Sequence, residues 1–165
     1  MSHDVIYLKQ SVYEAAQERI NWLFDEFERV IVDFSGGKDS TVILNLALKI
    51  AEQKGRLPLT VRFLDQEAEW QGVIDYVETV MMDDRIDPMW LQIPFRLSNS
   101  TSQNQHYLNV WGEGEEWMRE KHPLSLKENI YGADRFHALW KAIAKTLWPD
   151  ERLAILTGMR AEESN

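Results

Sequence analysis

The stretch Arg29-Val30-Ile31-Val32-Asp33-Phe34-Ser35-Gly36-Gly37-Lys38-Asp39-Ser40 decides the fold of this chain. Its first half is a short, apolar and β-branched run, which is typical of a buried parallel strand. The run stops at a serine and two glycines, and a helical spacing of apolar residues starts just after them, at Val42, Ile43, Leu46, Ala47 and Ile50. That spacing fades near Lys54 and Gly55, where a glycine can end a helix. The stretch therefore predicts a strand, a glycine loop and a helix in direct succession.

The same alternation continues on both sides of this stretch. Apolar runs predict three further strands, at Leu59–Leu64, at 89–93, where the pattern is weaker, and at Leu153–Thr157. Three further helices are predicted, the first of them capped by Ser11. Their apolar faces are Tyr13, Ala16, Ile20, Leu23, Phe24 and Phe27; Val73, Tyr76, Val77, Val80 and Met81; and Phe136, Leu139, Trp140, Ile143 and Leu147. This order predicts an α/β fold with an open parallel sheet and helices on both of its faces.

Residues 94–127 break the alternation. They are rich in Ser, Asn, Gln, Trp and Gly and show no sustained period, so we interpret them as a polar insertion, within one domain of residues 1–165, that carries side chains for recognition. Trp111 and Trp117 lie in this insertion and could stack on a base, although tryptophans more often fill cores. His106, His122 and His137 are scattered without the spacing of metal ligands, so none of them is taken as catalytic.

Composition sets limits on function. The chain has 165 residues, 44% of them hydrophobic, which is enough for one core. Because it has no cysteine, it has no thiolate nucleophile, no disulfide and no cysteine-bound iron–sulfur cluster. The formal net charge of −9 disfavours binding to nucleic acid and to anionic membranes. Since the sequence shows neither a long apolar run nor a signal-peptide layout, we expect a cytoplasmic protein.

The loop of residues 35–40 has the composition of an anion site. A loop between a parallel strand and the start of a helix presents unpaired backbone N–H groups and the positive end of the helix dipole. Gly36 and Gly37 let the backbone turn tightly and approach phosphate oxygens without a Cβ in the way. Lys38 adds a positive charge, and Ser35 and Ser40 add hydroxyl donors. The loop therefore predicts a phosphate-binding site.

Asp39 has no single interpretation within this loop. It could cap the helix, hold Lys38 in place or coordinate a magnesium ion that bridges phosphates. The plainer alternative for the whole loop is a polar strand-to-helix turn with a capping serine, but the full hexapeptide after a buried strand favours the phosphate site. Neither Gly-x-x-x-x-Gly-Lys-Ser/Thr nor Gly-x-Gly-x-x-Gly occurs, which disfavours those two nucleotide-binding classes.

Three motifs together resemble a known family. The hexapeptide of the 35–40 loop is similar to the pyrophosphate-binding loop (PP-loop) of the ATP pyrophosphatase and phosphoadenylylsulfate (PAPS) reductase superfamily. Leu64-Asp65-Gln66-Glu67 matches the acidic residue that these proteins carry after the second strand. Thr157-Gly158-Met159-Arg160-Ala161-Glu162-Glu163-Ser164 resembles their Gly-x-Arg-x-x-Glu-Ser signature. The motifs occur in the family's order, are most similar to a reductase-like group of bacterial and phage proteins, and imply a Rossmann-like, adenine nucleotide alpha hydrolase-like fold.

The resemblance implies a nucleotide ligand and a reaction type. Members of the superfamily bind ATP or PAPS, and many let an acceptor attack the α-phosphate of ATP so that pyrophosphate is released. By this likeness, Lys38, Asp39 and Arg160 are the catalytic candidates, and Asp39 is the candidate ligand of Mg²⁺. Reductases of the family use a cysteine near the C-terminus, and this chain has none, so we do not expect it to be a reductase by itself.

The resemblance also suggests roles for residues outside the loop. Asp65 and Glu67 would lie close to the nucleotide at the C-terminal edge of the sheet, where open α/β sheets collect ligands. The alternative is a solvated acidic turn. Arg160 would reach a phosphate or an anionic substrate, with Glu163 orienting it or a metal. The alternative there is a surface ion pair.

Two hypotheses about activity and one about assembly remain open at this point. The chain could be an enzyme that transfers or hydrolyses at the α-phosphate, or a regulatory module that senses ATP or PAPS without turnover. The last predicted strand, Leu153–Thr157, has no predicted neighbour on its outer side. An exposed strand edge favours pairing with another chain, so we also predict a homo-oligomer or a partner subunit at that edge, with a truncated fragment as the alternative.

Overall fold

The structure is a computed structural model and describes residues 9–159, so Arg160 and Glu163 of the third motif lie outside the described residues. Within this range, helices and strands follow in the order α1 (Val12–Glu26), β1 (Arg29–Asp33), α2 (Lys38–Gln53), β2 (Leu59–Leu64), α3 (Gln71–Met81), β3 (Ile86–Leu91), β4 (Phe95–Ser98), β5 (Tyr107–Val110), α4 (Phe136–Leu147) and β6 (Leu153–Thr157). Ser11 caps α1 as predicted, because its hydroxyl accepts from the amide of Glu14 while the Glu14 carboxylate accepts from the amide of Ser11.

The main sheet is parallel and has the strand order β3-β2-β1-β6. The predicted α/β class and open parallel sheet are therefore confirmed. Asp33 at the end of β1 lies opposite Arg62 of β2 on one side and Thr157 of β6 on the other. The chain runs outward from β1 to β3 and returns to the opposite side of β1 with β6. Such a reversal opens a crevice at the carboxyl ends of the central strands, where open α/β sheets bind ligands.

Two hydrophobic clusters cover the two faces of this sheet. Neighbouring residues of a strand point to opposite faces, and the strands divide accordingly. Phe63 and Trp90 belong to the cluster that packs against α1, α2 and α3, whereas Leu64 and Leu91 belong to the cluster that packs against α4. Helices therefore lie on both faces, as predicted.

The third strand begins earlier than predicted. The pattern favoured residues 89–93, but β3 runs from Ile86 to Leu91. The first half of β3 contains Asp87 and Pro88, which are uncommon in strands, but β3 is an edge strand of the described sheet, where proline is tolerated because its missing N–H need not face a neighbour. After Leu91 the chain leaves the sheet, since the amide of Gln92 donates to the carbonyl of Leu126 at 3.0 Å.

The 94–127 region contains regular structure that the sequence did not predict. Strands β4 and β5 pair in antiparallel fashion as a separate two-stranded sheet. Trp111, directly after β5, is completely buried and Trp117 packs against the same cluster. The suggestion that Trp111 stacks on a base is therefore wrong for this structure, because the ring belongs to the core that also contains α4.

Strand β6 lies at an edge of the main sheet. Among residues 9–159 it pairs with β1 alone, so its other side carries backbone groups without a strand partner. None of the helices in the described part of the chain is long and apolar enough to cross a membrane.

Candidate functional site

The 35–40 loop takes a conformation that needs a glycine at its second position. Gly36 has φ +73°, a left-handed backbone that residues with a Cβ rarely adopt. A Cβ on Gly36 would also lie 2.7 Å from Cγ1 of Val73 on α3. The loop is thus packed tightly between the sheet and α3, and its turn brings the chain directly into α2.

The two serines of the loop lock its ends together. Ser40 is buried, and its hydroxyl lies 3.0 Å from the hydroxyl of Ser35. The Ser40 hydroxyl also accepts from the backbone amide of Ser35 at 3.2 Å and contacts the carbonyl of Gly37 at 3.0 Å. These bonds are internal to the loop, so the serines first shape the loop and only secondarily offer donors to a ligand.

The start of α2 presents open backbone donors. Gly37 is the N-cap of the helix and has no side chain to cap it. The first amide that bonds within the helix is that of Thr41, which donates to the carbonyl of Gly37 at 3.0 Å. Within residues 9–159 the amides of Lys38, Asp39 and Ser40 have no acceptor. Three open N–H groups at the positive end of a helix dipole form a site for an anion.

Lys38 and Asp39 project from the first turn of α2. The side chain of Lys38 is 85% exposed, and its Nζ lies 3.3 Å from Oδ1 of Asp39. An exposed ion pair of this kind contributes little to stability, so Lys38 is free to reach a ligand at small cost. Asp39 holds Lys38, which is one of the roles considered for it, and capping is excluded because Gly37 occupies the N-cap.

A cavity of about 450 Å³ opens beside the loop at the carboxyl ends of β1, β2 and β6. Its volume falls within the range of small-molecule sites. The described residues that line it come from the loop, from the three strand ends, from the turn after β2 and from the start of α4: Asp33, Phe34, Ser35, Gly37, Lys38, Asp39, Ser40, Arg62, Phe63, Leu64, Gln66, Glu69, Phe136, Trp140, Thr157, Gly158 and Met159.

Two strands supply an ion pair to the wall of this cavity. Arg62 is 2% exposed, and its Nε and Nη2 donate to the two carboxylate oxygens of Asp33 at 2.6 and 2.8 Å. Its guanidinium lies 3.4 Å from the centre of the Trp140 ring. The sequence patterns did not predict this group. The sequence signal for this ion pair was Arg62 within the largely apolar β2. Burying an arginine costs free energy unless its charge is paired, so its presence there indicates a partner.

The end of β6 touches the first turn of α2. A Cβ on Gly158 would lie 2.6 Å from the backbone nitrogen of Ser40 and 2.8 Å from the carbonyl carbon of Asp39. The third motif therefore meets the PP-loop-like motif through backbone contact, and Thr157, Gly158 and Met159 line the cavity. The roles predicted for Arg160 and Glu163 stay predictions, because both residues lie outside the described part of the chain.

Asp65 is buried and fully engaged with protein groups. Its Oδ2 accepts from Gln92 Nε2 at 2.8 Å and from Trp90 Nε1 at 3.2 Å, and its Oδ1 pairs with the guanidinium of Arg119. Asp65 is 0% exposed and is not among the described residues that line the cavity. Direct contact with a nucleotide therefore stays a prediction, and the observed role of this carboxylate is to hold the turn after β2.

Glu67 is also occupied by the protein. Its carboxylate accepts from the backbone amides of Trp111, at 2.7 Å, and Met118, at 3.1 Å. The residues of this turn that face the cavity are instead Gln66 and Glu69. Partial burial raises the pKa of Glu69 above its ordinary value of 4.5, the charge of Asp65 adds to this increase, and Arg119 opposes it. Asp65 and Glu67, which the sequence suggested for the nucleotide site, thus bind protein groups in this structure.

His122 has a structural place beside the turn after β2. His122 stacks on Trp90 with the ring centres 4.4 Å apart, and its Nε2 lies 3.2 Å from a carboxylate oxygen of Glu78. Among the described residues, no group of three or more histidine or acidic side chains is placed to hold a metal ion. A magnesium ion here would depend on Asp39 together with phosphate oxygens. Mg²⁺ is commonly coordinated by one or two carboxylates together with phosphate oxygens of the substrate.

Comparison with known proteins agrees with the loop, the sheet and the cavity. The family model of the phosphoadenosine phosphosulfate reductase domain matches residues 29–165. The chain belongs to this family. The α/β structure with its parallel sheet is consistent with this family, and membership of the family supports nucleotide binding by this domain.

Two proteins similar to this chain differ in how much of it they match. The uncharacterized protein YbdN of Escherichia coli (strain K12) is 32% identical over 99% of this chain and 42% of its own length. Sulfate adenylyltransferase subunit 2 of Mycobacterium tuberculosis (strain ATCC 25618 / H37Rv) is 53% identical over 30% of this chain and 16% of its own length. The chain therefore spans less than half the length of these relatives.

Proposed function

We propose that this domain binds ATP, or a sulfonucleotide such as PAPS, in the cavity beside the 35–40 loop and that, with ATP as the ligand, it catalyses attack on the α-phosphate with release of pyrophosphate. The observation that carries the proposal is the set of three amides at the start of α2 that have no acceptor among the described residues and belong to residues lining a cavity of about 450 Å³, next to the exposed side chain of Lys38. Family membership supports the nucleotide as the ligand, and the reaction is inferred from where the phosphates would lie.

The proposed reaction uses this anion site for the leaving group. An acceptor oxygen or nitrogen, or water, bonds to the α-phosphorus and passes its proton, where it carries one, to solvent. The bond from that phosphorus to the oxygen bridging to the β-phosphate breaks. The two electrons of the broken bond leave with pyrophosphate, whose added charge the amides of Lys38, Asp39 and Ser40 stabilise. Lys38 supplies a positive charge at the same place, and Mg²⁺ held by Asp39 and the phosphates would supply more. Arg160 remains the candidate for a further phosphate contact.

The remaining walls of the cavity suit the rest of a nucleotide. Phe34, Phe136 and Trp140 provide aromatic surface, and the charge of Arg62 is already neutralised by Asp33. Aromatic surface favours stacking with a planar base. The proposal therefore places the phosphates at the loop and the base toward α4.

Calorimetric titration tests the binding part of the proposal. The protein is titrated with ATP and with PAPS, each with and without Mg²⁺, and pyrophosphate is assayed in the same samples. Lys38→Ala should weaken nucleotide binding by about tenfold or more, because it removes the positive charge at the phosphate site. Lys49→Ala is the matched control, since Lys49 is an exposed lysine of the same helix about 16 Å further along.

Each outcome has a separate meaning. Binding that is lost in Lys38→Ala but kept in Lys49→Ala, together with pyrophosphate release, supports the enzyme. Saturated binding of ATP without pyrophosphate release, with water or a supplied acceptor such as sulfate, argues against turnover by this chain. Failure of both nucleotides to bind the unmodified protein would remove the proposal altogether.

A second candidate is a nucleotide-binding subunit or sensor that does not turn over by itself. Two observations favour it: a relative that matches 30% of the chain is named as subunit 2 of an adenylyltransferase, and β6 has an open edge among the described residues. An exposed edge of this kind can pair with a partner chain or with a second copy. Sedimentation of the protein with and without ATP distinguishes a lone monomer from an assembly.

A further inference from the structure

A distant segment of the chain, residues 111–119, holds the turn after β2 through hydrogen bonds to Asp65 and Glu67. We call this set of hydrogen bonds the grip. Both carboxylate oxygens of Glu67 are used: Oε2 accepts from the amide of Trp111 at 2.7 Å and Oε1 accepts from the amide of Met118 at 3.1 Å. The backbones of Glu67 and Trp111 have φ +67° and +55°, which is rare for residues with a Cβ. Such conformations persist where surrounding contacts impose them, and they often occur at functional sites.

Arg119 completes the grip from the same segment. One end of its guanidinium donates to the carbonyl oxygen of Glu67 and the other end donates to Oδ1 of Asp65. The indole nitrogen of Trp111 donates to the carbonyl oxygen of Asp65 at 2.8 Å. With the two bonds to the Glu67 carboxylate, residues 111–119 make five hydrogen bonds to Asp65 and Glu67.

The gripped turn is also a wall of the cavity. Gln66 lies between Asp65 and Glu67 and lines the cavity, and Glu69, two residues after Glu67, lines it as well. Movement of Asp65 or Glu67 would therefore move the side chains that face a bound nucleotide. The segment 111–119 does not line the cavity itself, and its five hydrogen bonds to Asp65 and Glu67 connect it to the cavity wall through this turn.

We propose that Glu67 and Arg119 are positioning residues of the nucleotide site, through which the segment 111–119 holds Gln66 and Glu69 in the geometry that binds the nucleotide. The inference rests on the proposed function, because it assumes that the cavity binds ATP or PAPS. It assigns Glu67 an indirect role in place of direct contact, and it gives the polar insertion a function in nucleotide affinity.

The proposal has a reciprocal consequence. If the grip raises the affinity for nucleotide, bound nucleotide must stabilise the grip by the same factor. The amides of Trp111 and Met118 are hydrogen-bonded to Glu67, so their exchange with deuterium reports local opening of the grip. Saturating ATP with Mg²⁺, or PAPS, is expected to slow exchange at these two amides.

Two variants and two matched controls test the inference. Glu67→Gln keeps the shape of the side chain but replaces one acceptor oxygen with an NH₂ group that faces a backbone N–H. Arg119→Lys keeps the charge but loses the two-pronged contact with Glu67 and Asp65. Glu116→Gln, an exposed glutamate of the same segment, and Arg19→Lys, an exposed arginine of α1, repeat the same chemical changes away from the turn.

Affinity for ATP and PAPS is measured by calorimetry well below the melting temperature of each variant. Glu67→Gln and Arg119→Lys are expected to bind about tenfold more weakly and to lose the nucleotide-dependent protection of the Trp111 and Met118 amides, whereas the controls keep both. A role in stability alone would lower the melting temperature and leave the affinity of the folded protein and the protection unchanged.

The outcomes separate this inference from the proposed function. Unmodified protein that binds nucleotide, with equal affinity in Arg119→Lys, overturns the inference and leaves the proposed function intact. Unmodified protein that binds neither nucleotide overturns both. If Glu67→Gln does not fold, Arg119→Lys alone decides, because a lysine in place of a partly exposed arginine disturbs packing less.

Discussion

The absence of a side chain at Gly36 allows the conformation of the 35–40 loop. Two demands coincide there, a left-handed backbone with φ +73° and a gap of 2.7 Å between a virtual Cβ and Val73. We expect Gly36→Ala to lower the free energy of unfolding by about 2–3 kcal/mol, because backbone strain and overpacking add. Urea denaturation measures the change.

Gly114→Ala separates the two contributions. Gly114 has φ +74°, but nothing lies within 4 Å of its virtual Cβ, so the alanine should cost only the backbone strain, about 1 kcal/mol. Equal losses in the two variants would show that the contact with Val73 does not constrain the loop.

Asp83, just before β3, makes a pH-dependent contribution to the stability of the folded protein. Hydrogen bonds from the Arg85 side chain and backbone lower the pKa of Asp83 from its ordinary value of 3.8 to about 2. Because the pKa is lower in the folded protein, the contribution to stability is complete above about pH 4 and is lost as the pH falls through 2. Carbon NMR titration of the Asp83 carboxyl should show this pKa, and Arg85→Gln should raise it. An unchanged titration in Arg85→Gln would contradict the assigned cause.

At the scale of elements, the contact between β1 and β2 includes the Asp33–Arg62 ion pair. Removal of one partner leaves the other charge without compensation in a largely buried place. We expect Arg62→Leu to lower the free energy of unfolding by about 2–3 kcal/mol, since Asp33 keeps some access to solvent. Combined Asp33→Asn and Arg62→Leu should recover part of this loss.

The Arg29–Glu151 pair is the comparison for this experiment. It has the same chemistry and joins β1 to the turn before β6, but both side chains are about one-third exposed. Arg29→Leu should cost about 1 kcal/mol or less. A loss at Arg29 as large as that at Arg62 would mean that burial does not explain the difference.

At the scale of the whole molecule, the cavity lies where the ends of three strands from distant parts of the sequence meet. The ends of β1, β2 and β6 meet there because the strand order reverses at β1, and Gly158 allows β6 to touch the first turn of α2. A ligand in this place bridges the centre of the sheet, the helix and the turn after β2. Binding should therefore stabilise the entire fold rather than one loop.

Thermal unfolding measures this linkage. With nucleotide at a hundred times its dissociation constant, the folded state gains about 2.7 kcal/mol, which for a chain of this size raises the melting temperature by about 5–10 °C. Lys38→Ala at the same nucleotide concentration should show a clearly smaller shift, and Lys49→Ala should match the unmodified protein. A shift that is equal in all three proteins would place the ligand away from the 35–40 loop.

The strand, the loop, α2 and the parallel sheet could be predicted from the amino-acid sequence because their signals are local. β-branched runs, apolar spacing along a helix and glycines before a helix act over a few residues. The start of β3 was misjudged because Asp87 and Pro88 are acceptable on an edge strand, and the edge is a property of the assembled sheet.

The groups that meet around the cavity depend on register and long-range packing. Asp33 faces Arg62 because β1 and β2 pair in that register, and Trp140 reaches Arg62 from α4. Glu67 turns toward the segment 111–119, which no periodicity in residues 94–127 indicates. The 35–40 loop could be predicted because its signal is a local sequence pattern. The orientation of a carboxylate such as that of Glu67 depends instead on hydrogen-bond donors from distant parts of the chain, which only the folded structure brings to it.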